Sequence, residues 1–223
     1  MYRGLDEKYK NEFCYDTSEI VFLSNNRCEY IETFITADLE LVLLPLSYMV
    51  TSKRVGCLQI ENTVEFFEGI DHDFERFLGI KKCNTELDAI ERIHDLLNKE
   101  KDNMHKYYLI GTTPISPIGI FYIYNYKEKH RTCDIGIGFS KRYRGKNLCT
   151  NFITEICEHL IKQGINRIGM EVETTNVNSI AVCNKKLLKR GFEYEGIRRN
   201  SYGLGINSFV YSFIAQSKWF GRP

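Results

Sequence analysis

The chain has 223 residues, 43% of them apolar and 26% charged, which suits one domain with a full core. Thirty basic against 29 acidic residues leave a formal charge of +1, which excludes a global field for nucleic acid or membrane; any basic site is local. The eight cysteines show no CxxC and no Cys/His ligand spacing, no apolar run approaches the roughly 18 residues of a membrane span, and the N-terminus lacks a signal-peptide apolar core; this points to a reduced, cytoplasmic protein without a metal site.

Residues 1–37 read as an extension preceding a domain at 38–223. Residues 1–12 are polar, and 19–23 and 28–35 have strand character, joined by a turn at Asn25-Asn26. This segment either extends the sheet of the domain or contacts a second copy, so a homodimer is one expectation. An apolar run at 39–46 predicts a strand with Pro45 near its end, where a ladder donor is dispensable. The connection through 47–60 carries no clear pattern. A helix is expected over 62–70, and a stronger one from Thr85, where Thr85-Glu-Leu-Asp88 approximates a capping box. Its apolar face is Leu87, Ile90, Ile93, Leu96 and Leu97, with His94 among the solvated positions.

From Tyr107 the period changes to that of strands: 107–110, 118–124 and 132–139, with short links that favour an antiparallel meander. The helical pattern over 148–163 is sharp. Leu148, Phe152, Ile156 and Leu160 form one apolar row and Cys149, Ile153, Cys157 and Ile161 the adjacent one, with Gly164 as the stop. A strand at 165–172 follows. Because a helix links it to 132–139, the two should run parallel. A helix at about 179–190, stopped by Gly191, and strands at 192–195 and 208–214 complete the chain.

The stretch Asp134-Ile-Gly-Ile-Gly-Phe-Ser-Lys-Arg-Tyr-Arg-Gly-Lys-Asn-Leu148 organises the rest. It predicts strand, turn, helix, with Arg142, Arg144 and Lys146 beside the unpaired N–H groups of a helix start. Such a terminus attracts phosphate, and Gly145 permits close approach to the backbone. The alternative is an ordinary strand–helix connection with a solvated basic turn. On the strand, Asp134, Gly136 and Gly138 share a face opposite Cys133, Ile135, Ile137 and Phe139. Two glycines there leave room for a ligand against the backbone, or mark a bulge or a close helix contact.

Arg142-x-x-Gly145-x-Asn147 resembles the (Gln/Arg)-x-x-Gly-x-(Gly/Ala) acetyl-CoA signature of the GCN5-related N-acetyltransferases (GNAT), and the sequence Tyr143-Arg-Gly-Lys-Asn-Leu-Cys149 is similar to the RimJ/RimL-like branch. Asn176-x-x-Ser179-x-x-Val182-x-x-Lys185, Gly191-Phe192, Glu195-Gly-Ile-Arg198, Tyr211, Trp219 and the run at 40–46 match the same branch in order, so the resemblance covers about 38–220. It implies an α/β fold of the acyl-CoA N-acyltransferase type: a central mixed sheet whose one parallel pair splays around the cofactor. It also implies acetyl-CoA as donor and a peptide or small-molecule amine as acceptor. The cofactor contacts implied are the turn residues Arg142, Arg144, Gly145, Lys146, Asn147 and Leu148, the strand residues Ile137, Gly138 and Phe139 beside the pantetheine arm, and Asn176, Asn178, Ser179 and Lys185. Three departures stand out. Asn147 replaces a second small residue, Glu40 and Leu44 replace two arginines of the first strand, and the helix from Ser179 to Gly191 is four residues longer than the family spacing. Four residues is about one turn, so that helix is expected to keep its inner face.

Acetyl transfer to an amine needs a base, a stabilised oxyanion and a proton for the departing thiolate. Asp134 is the first candidate base, with Glu171 and Glu173 on the neighbouring strand in reserve; each reads equally as a solvated strand carboxylate. Ser179 is assigned to the thiolate or the pantetheine and Asn176 to a pantetheine amide, although both, like Asn178, are good helix caps. Tyr211 and Tyr202 are alternative proton donors, or packing tyrosines. An N-acetyltransferase acting directly on a protein N-terminus, amino sugar or other small amine is the leading reading. The other is a non-catalytic relative that binds CoA or a protein partner through the same surface.

Overall fold

The computed structural model describes residues 31–36, 39–47, 57–101, 104–113 and 116–215. The strand expected at 19–23 and the C-terminal Trp219 lie outside them. Eight strands form one sheet: β1 (Ile31–Thr36), β2 (Leu39–Pro45), β3 (Lys106–Gly111), β4 (Pro117–Lys127), β5 (Thr132–Phe139), β6 (Arg167–Glu173), β7 (Phe192–Arg198) and β8 (Ser208–Ile214). Their spatial order is β1-β2-β3-β4-β5-β6-β8-β7, and every neighbouring pair is antiparallel except β5 with β6. The strand predicted at 28–35 thus appears as β1, paired to β2.

Among the described residues the α-helices are α1 (Cys57–Glu68), α2 (His72–Leu78), α3 (Glu86–Glu100), α4 (Leu148–Lys162) and α5 (Val177–Val182). Helices cover both faces of the sheet around β3, so that strand is buried on both sides, whereas β5 alternates. β3 is buried along its whole length. Tyr108 and Ile110 meet the core under α4, which holds Phe152, Ile156 and Leu160; Tyr107 and Leu109 meet the core under α1–α3, which holds Phe67, Phe74, Ile93 and Leu97.

The Thr85 capping box forms in full, and α4 ends in the left-handed Gly164. Elsewhere the periodicity misleads. Leu87 is 53% exposed, and Ala89 takes its place on the buried face of α3. α1 starts five residues before the predicted 62. α2 has no counterpart in the sequence reading; it is only seven residues long, capped by Asp71, whose side chain accepts from the Phe74 N–H, and by the left-handed Gly79. The helix expected at 179–190 is not one regular helix. After α5 a π turn covers Cys183–Leu187 and a 3-10 turn covers Leu188–Arg190. In place of the regular helix expected to keep one inner face, the segment runs through a π turn and then a 3-10 turn.

Candidate active site

β5 and β6 pair through only three positions, Thr132 with Arg167, Cys133 with Ile168 and Asp134 with Gly169. Beyond them the strands separate. Residues 135–139 of β5 pair with β4 on one edge and, among the described residues, with no strand on the other. Both strands point the same way, so the connection 140–147 and the start of α5 flank the widening end of the gap. A crevice outside the carboxyl ends of parallel strands is where open α/β sheets take ligands.

The connection 140–147 is a cradle of open backbone lined by cations. Gly145 is left-handed (φ 74°), and a Cβ there would meet nothing within 4 Å. Asn147 is also left-handed (φ 65°), which asparagine tolerates better than most residues. It stands at the start of α4 without capping it, so the first N–H groups of that helix have no side-chain acceptor from this residue. Tyr143 carries two cations: the Arg142 guanidinium lies 4.9 Å and the Lys146 ammonium 5.1 Å from its ring centre. Arg142 also donates to the Tyr143 hydroxyl at 2.8 Å.

Arg144 does different work from its neighbours. Its Nε donates to the Phe139 carbonyl at 2.8 Å, and its two Nη atoms donate to Asp73 at 2.8 Å and Asp71 at 2.9 Å. Its fork is thus committed to α2, where it also lies over the Phe74 ring. Desolvation works against the Asp71 carboxylate, yet Arg144 and the Phe74 N–H outweigh it and hold its pKa below the usual value. Of the three cations expected to meet phosphate, Arg144 is the brace of a helix that the sequence reading missed.

The glycine face of β5 is likewise filled by the protein itself. A Cβ on Gly138 would strike Leu78 and lie 3.1 Å from the Phe74 ring, and a Cβ on Gly136 would strike the Tyr122 ring. Of the alternatives open for these glycines, the structure shows close side-chain contact. What remains open to a ligand at Ile137, Gly138 and Phe139 is the strand's backbone edge.

Asp134 sits at the apex, on the last parallel pair. Its Oδ2 accepts from Asn125 Nδ2 at 2.9 Å, and its Oδ1 lies over Gly169, 3.9 Å from Arg167 Nη1. Arg167 is held more closely by Glu195, through contacts of 3.1 and 2.5 Å, which lower the Glu195 pKa and raise that of Arg167. Asp134 is therefore loosely paired, with 21% of its side chain exposed. The two reserve carboxylates share its face of the sheet but are not solvated. Glu171 accepts from Ser208 at 2.9 Å and pairs with Arg198. Glu173, 6% exposed, accepts from Thr175 and from Arg76 of α2 at 3.4 Å. Tyr122, Tyr124 and Tyr202 crowd the same face, and burial raises the pKa of each.

Asn176 caps α5, its Oδ1 accepting from the Ser179 N–H at 3.1 Å. Ser179 is half-buried and Asn178 exposed. Tyr211 is 1% exposed and donates to Asn184 at 2.8 Å, away from Asp134. Lys185 is exposed; it is the next residue, Lys186, whose ammonium donates to Asn147 Oδ1. Among the described residues no cluster of His, Cys, Asp and Glu could hold a metal ion, and no helix is long and apolar enough to cross a membrane.

A family model described as an acetyltransferase (GNAT) domain matches residues 58–186, more than half of the chain and including β5, the cradle and α5. The chain belongs to the GNAT acetyltransferase family. Solved structures with the same fold include a ribosomal-protein-S5-alanine acetyltransferase from Vibrio fischeri, at 18% identity, covering 86% of this chain and 100% of that one with a TM-score of 0.61. The RimL ribosomal L7/L12 alpha-N-protein acetyltransferase covers 87% of this chain and 100% of its own at 14% identity and TM-score 0.60. The microcin C7 self-immunity acetyltransferase MccE, in complex with acetyl-CoA and AMP, covers 83% and 98% at 19% identity and TM-score 0.56. No curated protein matches. As a GNAT acetyltransferase the chain uses acetyl-CoA as donor, and its RimJ/RimL-like sequence features agree with these folds. The cofactor fits the residues present: an open left-handed Gly145, the start of α4 left uncapped by Asn147, and the β5 edge beyond the Asp134–Gly169 pair.

Proposed function

We propose that this GNAT protein transfers acetyl directly from acetyl-CoA to a primary amine, on a protein N-terminus, an amino sugar or another small amine, with Asp134 as the base. The observation that carries the reading is the gap that opens immediately beyond the Asp134–Gly169 pair, between the phosphate cradle and the start of α5. Bound acetyl-CoA supplies an activated thioester. The N–H groups at the start of α4, with Arg142 and Lys146, hold its phosphates. The edge of β5 from Ile135 to Phe139, left without a strand partner beyond the Asp134–Gly169 pair, would hold the pantetheine arm. Asp134 removes the proton that the acceptor nitrogen sheds on attack, directly or through one water. Ser179 donates to the sulfur as it departs.

The reserve carboxylates are less suited to the proton, since Glu171 and Glu173 are each engaged by an arginine and a hydroxyl. Asp134→Asn keeps the shape and removes the base. Turnover should fall roughly 10²–10⁴-fold while acetyl-CoA affinity holds. The deficit should shrink as pH rises, because more acceptor then arrives deprotonated. Near-normal turnover at neutral pH would overturn the assignment. Calorimetric titration with acetyl-CoA and thiol release across a panel of amines separate an enzyme from a relative that only binds CoA.

A further inference from the structure

The widened turn after α5 brings in a cation that the motif does not contain. In the π turn the Leu188 N–H reaches back to the Cys183 carbonyl, five residues away. Cys183 and Leu187 anchor the turn in the core, at 1% and 0% exposure. The three residues between them form its outward arc. Asn184 receives the Tyr211 hydroxyl, Lys185 is exposed, and Lys186 crosses to the cradle, where its ammonium donates to Asn147 Oδ1. Wide turns of this kind, frequent at functional sites, re-aim side chains that a regular helix would point elsewhere.

Two further observations place this ammonium at the head of α4. Asn147 spends its side-chain oxygen on Lys186 instead of capping the helix. Cys149, in the first turn of α4, has its thiol pushed up by desolvation to about 12, with the Lys186 charge pulling in the opposite direction. A positive charge beside a helix N-terminus repels the positive end of the helix dipole. That arrangement is unfavourable by itself and becomes favourable once an anion lies between the two. Arg144, which the motif would lend to phosphate, is meanwhile tied to Asp71 and Asp73.

We propose that Lys186, carried by the π turn, is a phosphate ligand of the donor site and takes the place that Arg144 leaves vacant. The proposal rests on the acetyl-CoA reading above. A single ammonium can meet either the diphosphate or the 3′-phosphate of CoA, and the test resolves which.

The affinities of wild type, Lys186→Met and Lys186→Arg are measured for CoA and dephospho-CoA by calorimetry, and turnover is measured with S-acetyl-pantetheine, which carries no phosphate. Lys186→Met should weaken CoA about tenfold or more at low ionic strength, Lys186→Arg should recover most of the loss, and kcat/KM for S-acetyl-pantetheine should stay at the wild-type value. A loss that persists with dephospho-CoA assigns the contact to the diphosphate; a loss that disappears assigns it to the 3′-phosphate. Unchanged CoA affinity in Lys186→Met overturns the proposal. So does an equal fall with S-acetyl-pantetheine, which would make Lys186 a prop for the turn. Failure of wild type to bind CoA would refute the donor reading instead.

Discussion

Gly138→Ala tests what occupies the glycine side of β5. The added methyl would overlap Leu78 Cδ1 and stand 3.1 Å from the Phe74 ring, so α2 must rise or Leu78 must rotate. Overpacking by one methyl costs about 1–3 kcal/mol. Leu78 is half-exposed and can turn away, at about 0.5–1.5 kcal/mol for a strained rotamer. Phe74, 2% exposed, cannot. We expect a net loss of about 1–2 kcal/mol, which for a chain of this size lowers Tm by about 2–8 °C. Leu78→Ala alone should cost about 1–2 kcal/mol, below the fully buried range because the residue is half-exposed. In the double variant the methyl gains the space that Leu78 vacates, so the losses should fall short of their sum by about 1 kcal/mol. Urea unfolding of the four proteins closes this cycle, and simple additivity would refute the packing account. Acetyl-CoA affinity adds a second reading. If the cofactor lay on this face, Gly138→Ala would abolish binding and Leu78→Ala would not restore it.

Gly145→Asp should remove acetyl-CoA binding in calorimetry, because it places a carboxylate in the phosphate cradle. Stability should fall by only about 1 kcal/mol, the strain of a left-handed residue with open space around it; equal acetyl-CoA affinity would dismiss the site. Glu100, at 7% exposure, has its carboxyl raised by burial to about 7, against the opposing pull of the Tyr107 N–H and Lys106. A raised folded pKa stabilises fully below the unfolded value of 4.5 and loses that contribution as pH climbs through about 7. Wild type should therefore lose on the order of 2 kcal/mol between pH 4.5 and 8. Glu100→Gln still accepts from Tyr107 and should flatten the slope in urea titrations at the two pH values; an unchanged slope would count against this account.

Local chemistry was legible where one element contains its own cause. The two apolar rows of α4, the Thr85 box and the β3–β4–β5 meander depend on neighbours in sequence and form as expected. The parallel β5–β6 pair follows from the helix that connects its strands. α2 escaped because seven residues barely complete two turns, too few to establish a period, although Asp71 and Gly79 flagged both ends. Spacing alone puts Leu87 on the apolar face, and spacing cannot tell the edge of an apolar stripe from its centre. The π turn was invisible to any reading that assumes 3.6 residues per turn. Arg144 and Gly138 show the larger limit. Alternation says which way Gly138 faces, and a motif says what Arg144 resembles, but their partners lie some sixty to seventy residues earlier on a helix the pattern did not reveal.

The three-position joint between β5 and β6 divides the sheet into two antiparallel blocks. One is β1 to β5, each strand beside its successor; the other is β6, β8 and β7. Backbone pairing across this seam is the thinnest in the sheet, and it is supplemented by the core under α4, by the Asn166 N–H on the Arg131 carbonyl and by Arg76 reaching from α2 to Glu173 and Thr175. Subglobal opening follows the lines where fewest bonds cross. Hydrogen exchange should therefore find β6–β8 leaving as one cooperative unit, and a donor lodged between the blocks should slow that opening more than it slows the opening of any helix.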